Sequence, residues 1–193
     1  MVSADEMKKV AVFCAWRPGK NPRFASEAEI LGKELAKNDL TLVYGSSVDG
    51  LMGVLANSVL ENGGKVIAAN AKIFNYCVQP KHANFKYYEY ETIEERQRAL
   101  IDMADAYVVF VGGFGTMFEY YHVLNLMLIG IISPRPVVIV NIDGVFDSML
   151  SLAEDLIASE LASRFAYETV VTSASEVVDA LRKGFAKCLN CRK

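Results

Sequence analysis

The chain has 193 residues and a net charge of −3, with hydrophobic residues at 52% and charged residues at 22%. These values are typical of one folded domain with a sizeable core, and they give no reason to expect nucleic acid as a partner. No apolar run is long enough to span a bilayer, so no membrane partner is expected. Residues 1–9 are polar and lack the apolar core of a signal peptide, which predicts a cytoplasmic protein.

Predicted strands and helices alternate along the chain. Short, β-rich apolar runs predict strands over residues 9–14, 40–44, 65–69, 85–90, 107–111, 135–141 and 169–172. Apolar residues at helical spacing predict helices over residues 23–37, 50–61, 92–103, 116–129, 146–161 and 175–186. The β-α-β-α-β order at the start of the chain favours a parallel sheet with right-handed crossovers. We therefore expect one α/β domain over residues 1–193. The residues from about 187 onward are expected to form a flexible tail.

The remaining segments carry few metal-binding or disulfide-forming residues. Residues 70–84 are predicted as a long irregular stretch, which in compact domains is often functional. The four cysteines, at positions 14, 77, 188 and 191, lack a framework spacing, so we expect reduced thiols, and Cys188-x-x-Cys191 is half a zinc site at most. Glu119 and His122 share a helix face, but no third ligand lies nearby in sequence, so we expect neither a metal nor a cofactor.

The stretch 107–119 combines a buried strand, a glycine turn and the start of an apolar helix. Gly112, Gly113 and Gly115 would let a phosphate approach the backbone, because no Cβ blocks it, and Thr116 is expected to cap the helix. The N–H groups and the dipole of a helix N-terminus favour an anion. The pattern predicts a phosphate site, although three glycines alone also fit a simple strand-to-helix turn.

Three turns that follow predicted strands are rich in small or polar residues, at 14–22, 45–50 and 112–116. Ligands of open parallel sheets bind beyond the carboxyl ends of the strands, where the strand order reverses. We therefore expect these three turns to meet in one cleft.

Several spaced motifs resemble those of the LOG ("Lonely Guy") family, cytokinin riboside 5′-monophosphate phosphoribohydrolases formerly described as lysine decarboxylases. Residues 112–119, GGFGTMFE, are similar to its PGGxGTxxE motif, and Arg96 stands where the family carries its arginine. Residues 45–53 resemble the turn GGGxxGLMG, and residues 14–24 resemble CGSSxGxxPxY. The likeness extends over nearly the whole chain.

This resemblance implies a Rossmann-like, three-layer fold with a mostly parallel sheet, usually in a homodimer. It also implies hydrolysis of AMP or an N6-modified AMP, the cytokinin riboside 5′-monophosphate, to free base and ribose 5-phosphate, and hence a role in cytokinin activation. The family's arginine and glutamate carry catalysis, which places those roles on Arg96 and Glu119. Residues expected to bind the phosphate or the nucleotide are Gly112, Gly113, Gly115, Thr116, Gly45, Ser46, Met52 and Trp16.

The chain departs from the family pattern around the cleft. Val111 replaces the proline of the glycine motif, Glu94 and Gln97 replace a histidine and a lysine, and Ser46 and Ser47 replace two glycines. Ala15, Trp16 and Arg17 replace Gly-Ser-Ser in the first turn, and this raises a second hypothesis, a nucleotide- or cofactor-binding protein of the same fold without hydrolase activity. A lysine decarboxylase is a weaker third hypothesis, since the turns at 45–50 and 112–116 offer no lysine for a pyridoxal cofactor.

The candidate residues suit N-glycosidic hydrolysis, which builds positive charge on the sugar. Glu119 would stabilise that charge or align the water, and Arg96 would hold the ligand or orient Glu119. Without the resemblance, a solvated helix charge would be the preferred interpretation of Arg96, and with it the site is favoured. Trp16 is compatible either with stacking on a base or with packing of the turn. The helix at 116–129 is apolar almost all round, so we expect it at a homodimer interface unless a later helix covers it.

Overall fold

The computed structural model describes residues 7–74 and 79–190, which form one parallel sheet with helices on both faces. The strands are β1 (Lys9–Phe13), β2 (Thr41–Tyr44), β3 (Val66–Ala71), β4 (Phe85–Tyr90), β5 (Ala106–Val109), β6 (Val137–Val140) and β7 (Glu168–Val171). The α-helices are α1 (Arg23–Lys37), α2 (Gly50–Glu61), α3 (Ile93–Met103), α4 (Phe114–Leu128), α5 (Asp147–Ala158) and α6 (Val177–Asn190).

The strand order places the turns after β1 and β5 side by side. The order is β4-β3-β2-β1-β5-β6-β7, and each neighbouring pair is parallel. The chain builds outward from β1 in one direction and from β5 in the other, so the order reverses between these two strands. A ligand cleft is expected at such a point. The predicted three-layer α/β fold is confirmed.

The central strands are buried on both faces because they are continuous apolar runs. One face packs against α1, α2 and α6, and the other packs against α3 and α4. Helix α5 also packs on this second face but contributes no fully buried residue. The second face is therefore covered less completely than the first.

Most predicted elements are confirmed to within a few residues, and three expectations are wrong. Asn70 and Ala71 belong to β3 rather than to an irregular stretch, because they continue its pairing with β4. Helix α4 begins at Phe114, with Gly113 as its N-cap and no side-chain cap, so Thr116 lies inside the first turn. Helix α6 continues to Asn190, beyond the predicted end at residue 186, and buries Cys188. Residues 191–193 of the predicted tail lie outside the described residues.

Cys77 and Cys191 lie outside the described residues. The predicted Cys-x-x-Cys pair includes Cys191, so the pair cannot be described either. Within the two described ranges, none of the helices combines the length and the apolar character that a bilayer span requires.

Candidate functional site

A cavity of about 570 Å³ lies at the carboxyl edge of the sheet, where the three turns meet as expected. The backbone joins them directly, because Ala15 donates its N–H to Val111 O at 2.9 Å and Met52 donates its N–H to Ala15 O at 3.1 Å. The cavity is lined by residues from the ends of β1, β2 and β3 and from the first turns of α2, α3 and α4.

Arg96 is placed by local structure at the start of α3. Thr92 and Glu95 form a capping box, in which the Thr92 hydroxyl accepts from Glu95 N at 3.1 Å and the Glu95 carboxylate accepts from Thr92 N at 3.3 Å. The next residue, Arg96, points inward and donates from Nε to Ala69 O at 3.2 Å. Gly45 leaves room for the guanidinium, since a Cβ there would lie 1.9 Å from one of its nitrogens.

Arg96 and Glu119 form a buried ion pair on the cavity wall. Arg96 Nη1 donates to Glu119 Oε1 at 3.0 Å, and the two residues are 9% and 6% exposed. Burial raises the pKa of Glu119, and the charge and hydrogen bond of Arg96 oppose that rise. The pair is thus a desolvated carboxylate held in place by a fixed cation, the arrangement expected of a group that acts on a developing positive charge.

The glycine turn after β5 has the geometry of an anion site. A Cβ on Gly112 would lie 2.0 Å from Thr116 Oγ1, so this glycine is needed for the close turn. Ideal Cβ positions on Gly113 and Gly115 meet nothing within 4 Å and adjoin the cavity. The first N–H groups of α4 have no preceding helical carbonyl to accept them, so they can bind an anion.

The mouth of the cavity is formed by aromatic residues and by one arginine. Trp16 is 59% exposed, and the guanidinium carbon of Arg17 lies 4.6 Å from the centre of its ring. Gly50, with a φ of 59°, fits beneath them, because a Cβ there would come within 2.1 Å of Trp16 O. Phe74 and Phe114 complete the exposed aromatic rim. An aromatic rim can stack on a planar base.

A series of hydrogen bonds that sequence reasoning missed runs from the buried cavity wall to the exposed edge of the sheet. Ser46 Oγ donates to Asn70 Oδ1 at 2.8 Å, and Asn70 Nδ2 donates to the Tyr87 hydroxyl at 2.8 Å. Tyr87 in turn donates to Glu89 Oε1 at 3.0 Å. Ser46 has a φ of 71°, a sparsely populated conformation for a residue with a side chain. Tyr87 and Glu89, two positions apart on β4 and therefore on one face of the sheet, were the one available indication of these hydrogen bonds.

The predicted site residues come together at this cavity, with one exception. Gly112 lies behind the wall and supports Thr116 instead of adjoining the cavity. Cys14 also lies on the wall, and burial raises the pKa of its thiol, so it is an unreactive core residue. Within residues 7–74 and 79–190, no three potential metal ligands of the His, Cys, Asp and Glu types cluster. The residues at the cavity are Arg96, Glu119, Gly45, Ser46, Met52, Trp16, Gly113, Gly115 and Thr116.

Comparison with known proteins identifies the family. The sequence model of a family described as "possible lysine decarboxylase" matches residues 52–183. A cytokinin riboside 5′-monophosphate phosphoribohydrolase of Rhodococcoides fascians is 31% identical over 76% of this chain and 74% of its own. LOG3 of Arabidopsis thaliana, with the same enzyme name, is 30% identical over 95% of this chain and 86% of its own.

The chain belongs to the LOG family. The expected family membership is therefore confirmed. Among solved structures, the molybdenum cofactor carrier protein of Chlamydomonas reinhardtii superposes with a TM-score of 0.70 over 94% of this chain and 99% of its own, at 15% identity. At that identity the superposition shows a shared fold and does not bear on the ligand of this LOG family member.

Proposed function

We propose that the chain is a nucleoside 5′-monophosphate phosphoribohydrolase acting on AMP or an N6-modified AMP. The observation that carries the proposal is the buried Arg96–Glu119 pair beside a glycine turn at a helix N-terminus. The phosphate would bind the N–H groups of the α4 turn, and the base would reach the aromatic mouth. The names of the LOG relatives support the same reaction.

In this reaction, the bond from C1′ of the ribose to the base nitrogen breaks and leaves positive charge on the sugar. The Glu119 carboxylate stabilises that charge and orients a water molecule towards C1′. The water oxygen bonds to C1′ and gives up one proton to solvent, and the nitrogen of the departing base takes up one proton from solvent. Arg96 keeps Glu119 ionised and fixed, because its charge opposes the effect of burial on the carboxyl pKa.

The reaction is tested by measuring free base and ribose 5-phosphate released from AMP and from other nucleoside monophosphates. Release of both products in equal amounts is expected. Tight binding without any release would instead favour the second candidate, a nucleotide- or cofactor-binding protein, for which the altered residues Ala15, Trp16 and Arg17 are the specific support. No lysine lines the described part of the cavity, which disfavours a lysine decarboxylase.

The chain is further proposed to form a homodimer through α4. Phe118, Tyr121 and Leu128 are exposed along this helix, and α5, which packs on the same core cluster, leaves Leu152 and Leu156 exposed. Exposed large apolar side chains on one face of a protein mark an interface.

Light scattering should give twice the mass of one chain for the wild type and the mass of one chain for Phe118→Asp. Ile30→Asp is the matched control, since Ile30 is an exposed apolar residue on α1, across the sheet. A monomeric wild type at assay concentration would exclude this assembly.

A further inference from the structure

We infer that Ser46 and Asn70 bind the 2′,3′-diol of the ribose and so select ribonucleotides over deoxyribonucleotides. This inference rests on the proposed function and assigns a further role within the same cavity. Both residues are 2% exposed, and both line the cavity.

Their position follows from the contacts of Arg96. The guanidinium lies over Gly45 and donates to Ala69 O, so Ser46 and Asn70 are the next residues along the chain after its two contacts. The α4 turn, where the phosphate is proposed to bind, follows β5. Ser46 lies just after β2, and Asn70 lies near the end of β3. A ligand that crosses the Arg96–Glu119 pair from the phosphate turn therefore brings its sugar towards Ser46 and Asn70.

The direction of each proton in this series of hydrogen bonds is fixed from its outer end. The Glu89 carboxylate can only accept, so the single Tyr87 hydroxyl proton is donated to it. Tyr87 oxygen must then accept from Asn70 Nδ2, which turns Asn70 Oδ1 towards Ser46. With the amide reversed, the Tyr87 proton would be shared between two acceptors, and one of them would lose its donor.

This direction determines what the pair offers to a ligand. Ser46 has one hydroxyl proton and gives it to Asn70, so its oxygen can only accept a hydrogen bond from the ligand. Asn70 Nδ2 has a second proton, which can be donated. An acceptor beside a donor is complementary to two neighbouring hydroxyl groups, one donating and one accepting, as in a ribose diol.

The backbone of Ser46 supports a functional origin for this arrangement. Its φ of 71° lies in the region that favours glycine, and the residue is buried, so the conformation is maintained by its surroundings. A glycine would relieve this strain but would remove the hydroxyl. Serine at this position is thus explained by a hydroxyl that is used.

The test compares AMP, 2′-deoxy-AMP and 3′-deoxy-AMP as substrates of the wild type, Ser46→Ala and Ser46→Gly. Each substitution should lower kcat/KM for AMP about tenfold, the effect of one lost hydrogen bond in a buried site. At least one deoxynucleotide should be unaffected within about twofold, because the partner hydroxyl is already missing. Ser46→Gly keeps the comparison valid if Ser46→Ala folds poorly.

Ser58→Ala is the matched control, since Ser58 is also buried but donates its hydroxyl to Glu29 O at 2.7 Å, away from the cavity. It should leave the ratio of AMP to deoxy-AMP turnover unchanged. Asn70→Ala should reduce that ratio as the Ser46 variants do.

Binding is followed separately through the fluorescence of Trp16, the single tryptophan of the chain, which lines the cavity. If AMP is hydrolysed but the Ser46 variants lose activity equally on all three nucleotides, the diol assignment alone is wrong. If no nucleoside monophosphate is bound or hydrolysed by the wild type, the proposed function is wrong and the diol assignment with it.

Discussion

The inner wall of the cavity and its mouth differ in how firmly the fold holds them. On the inner wall, Arg96 and Glu119 are buried, bonded to each other and anchored to β3. At the mouth, Trp16 and Phe114 are 59% and 96% exposed, and the sequence departs from the family motif at residues 15–17. Under the proposed function, we expect the wall to determine the chemistry and the mouth to determine which base is accepted.

The largest effect is expected from Glu119→Gln on the inner wall. Glutamine keeps the shape but cannot supply negative charge, so kcat should fall about 10²–10³-fold, with most ligand affinity retained. Rates of base release and Trp16 fluorescence titrations measure the two quantities. Glu94→Gln, at an exposed glutamate on α3, is the control and should retain full activity.

The pH dependence of the wild type adds to this test. Burial raises the pKa of Glu119 above its ordinary value of 4.5, and the carboxylate is the active form, so kcat/KM should rise with pH through an acid limb above that value. This limb should be absent from the residual activity of Glu119→Gln. Equal activity of the two proteins would show that Glu119 is not the catalytic carboxylate.

The second prediction contrasts two arginines of α3. Arg96→Met leaves a buried carboxylate without its partner and should cost about 3–5 kcal/mol of the free energy of unfolding, together with most of the activity. Arg98→Met removes only an exposed pair with Asp102 and should change little. Urea unfolding and base-release assays measure both variants.

The pH dependence of stability sharpens the contrast. Without Arg96, the pKa of Glu119 rises further, so the folded state holds its proton to higher pH than the unfolded chain does. The Arg96→Met protein should therefore be closest to wild-type stability at acid pH and should lose stability as pH rises through the raised pKa. An effect independent of pH would show that the lost stability comes from packing rather than from the unpaired carboxylate.

The third prediction concerns the glycine turn between the two regions. Gly115→Leu should leave the fold intact, because an ideal Cβ meets no atom within 4 Å, but the side chain would occupy the phosphate position. The affinity of Gly115→Leu for AMP should fall about tenfold or more, and the affinity of Gly115→Ala should lie between those of the wild type and Gly115→Leu. Calorimetric titration and the thermal midpoint measure binding and folding, and unchanged affinity for AMP would place the phosphate elsewhere.

The smallest effect is expected at the mouth. Trp16→Ala removes an exposed ring, so its loss should cost about 1 kcal/mol of AMP binding, or about fivefold in Kd. Ribose 5-phosphate, which has no base, should bind equally to both proteins. If Trp16→Ala weakens the binding of ribose 5-phosphate as much as that of AMP, Trp16 packs the turn and does not contact the base.

Much of the fold could be predicted because the local patterns agree with the topology. The bounds of α1 and α2 match the prediction, since each helix has an apolar stripe and is delimited by Pro22 or Gly50 and by an Asn C-cap. The convergence of the three turns followed from parallel pairing alone. The start of α4 was misplaced because Phe114 and Gly115 are poor local indicators of a helix, whereas the turn geometry makes them helical.

The parts of the site that were missed depend on contacts between distant residues. Ser46 and Asn70 lie 24 positions apart, and the segment containing Asn70 was interpreted as a loop. Local composition does not indicate that Gly45 leaves room for Arg96. It also does not indicate the direction of the hydrogen bonds through Tyr87. Predicting these features requires the register in which β2, β3 and β4 pair.

Gly45 lines the cavity, and its lack of a side chain has a consequence for how this cavity can evolve. A Cβ at position 45 would overlap the guanidinium of Arg96, with 1.9 Å between the two atoms, so any substitution there displaces the arginine. In a mutational library selected for turnover, position 45 should be as intolerant as position 96. A lineage that abandoned the arginine would be released from this constraint, so loss of the glycine would mark a descendant that had given up the chemistry and kept the fold.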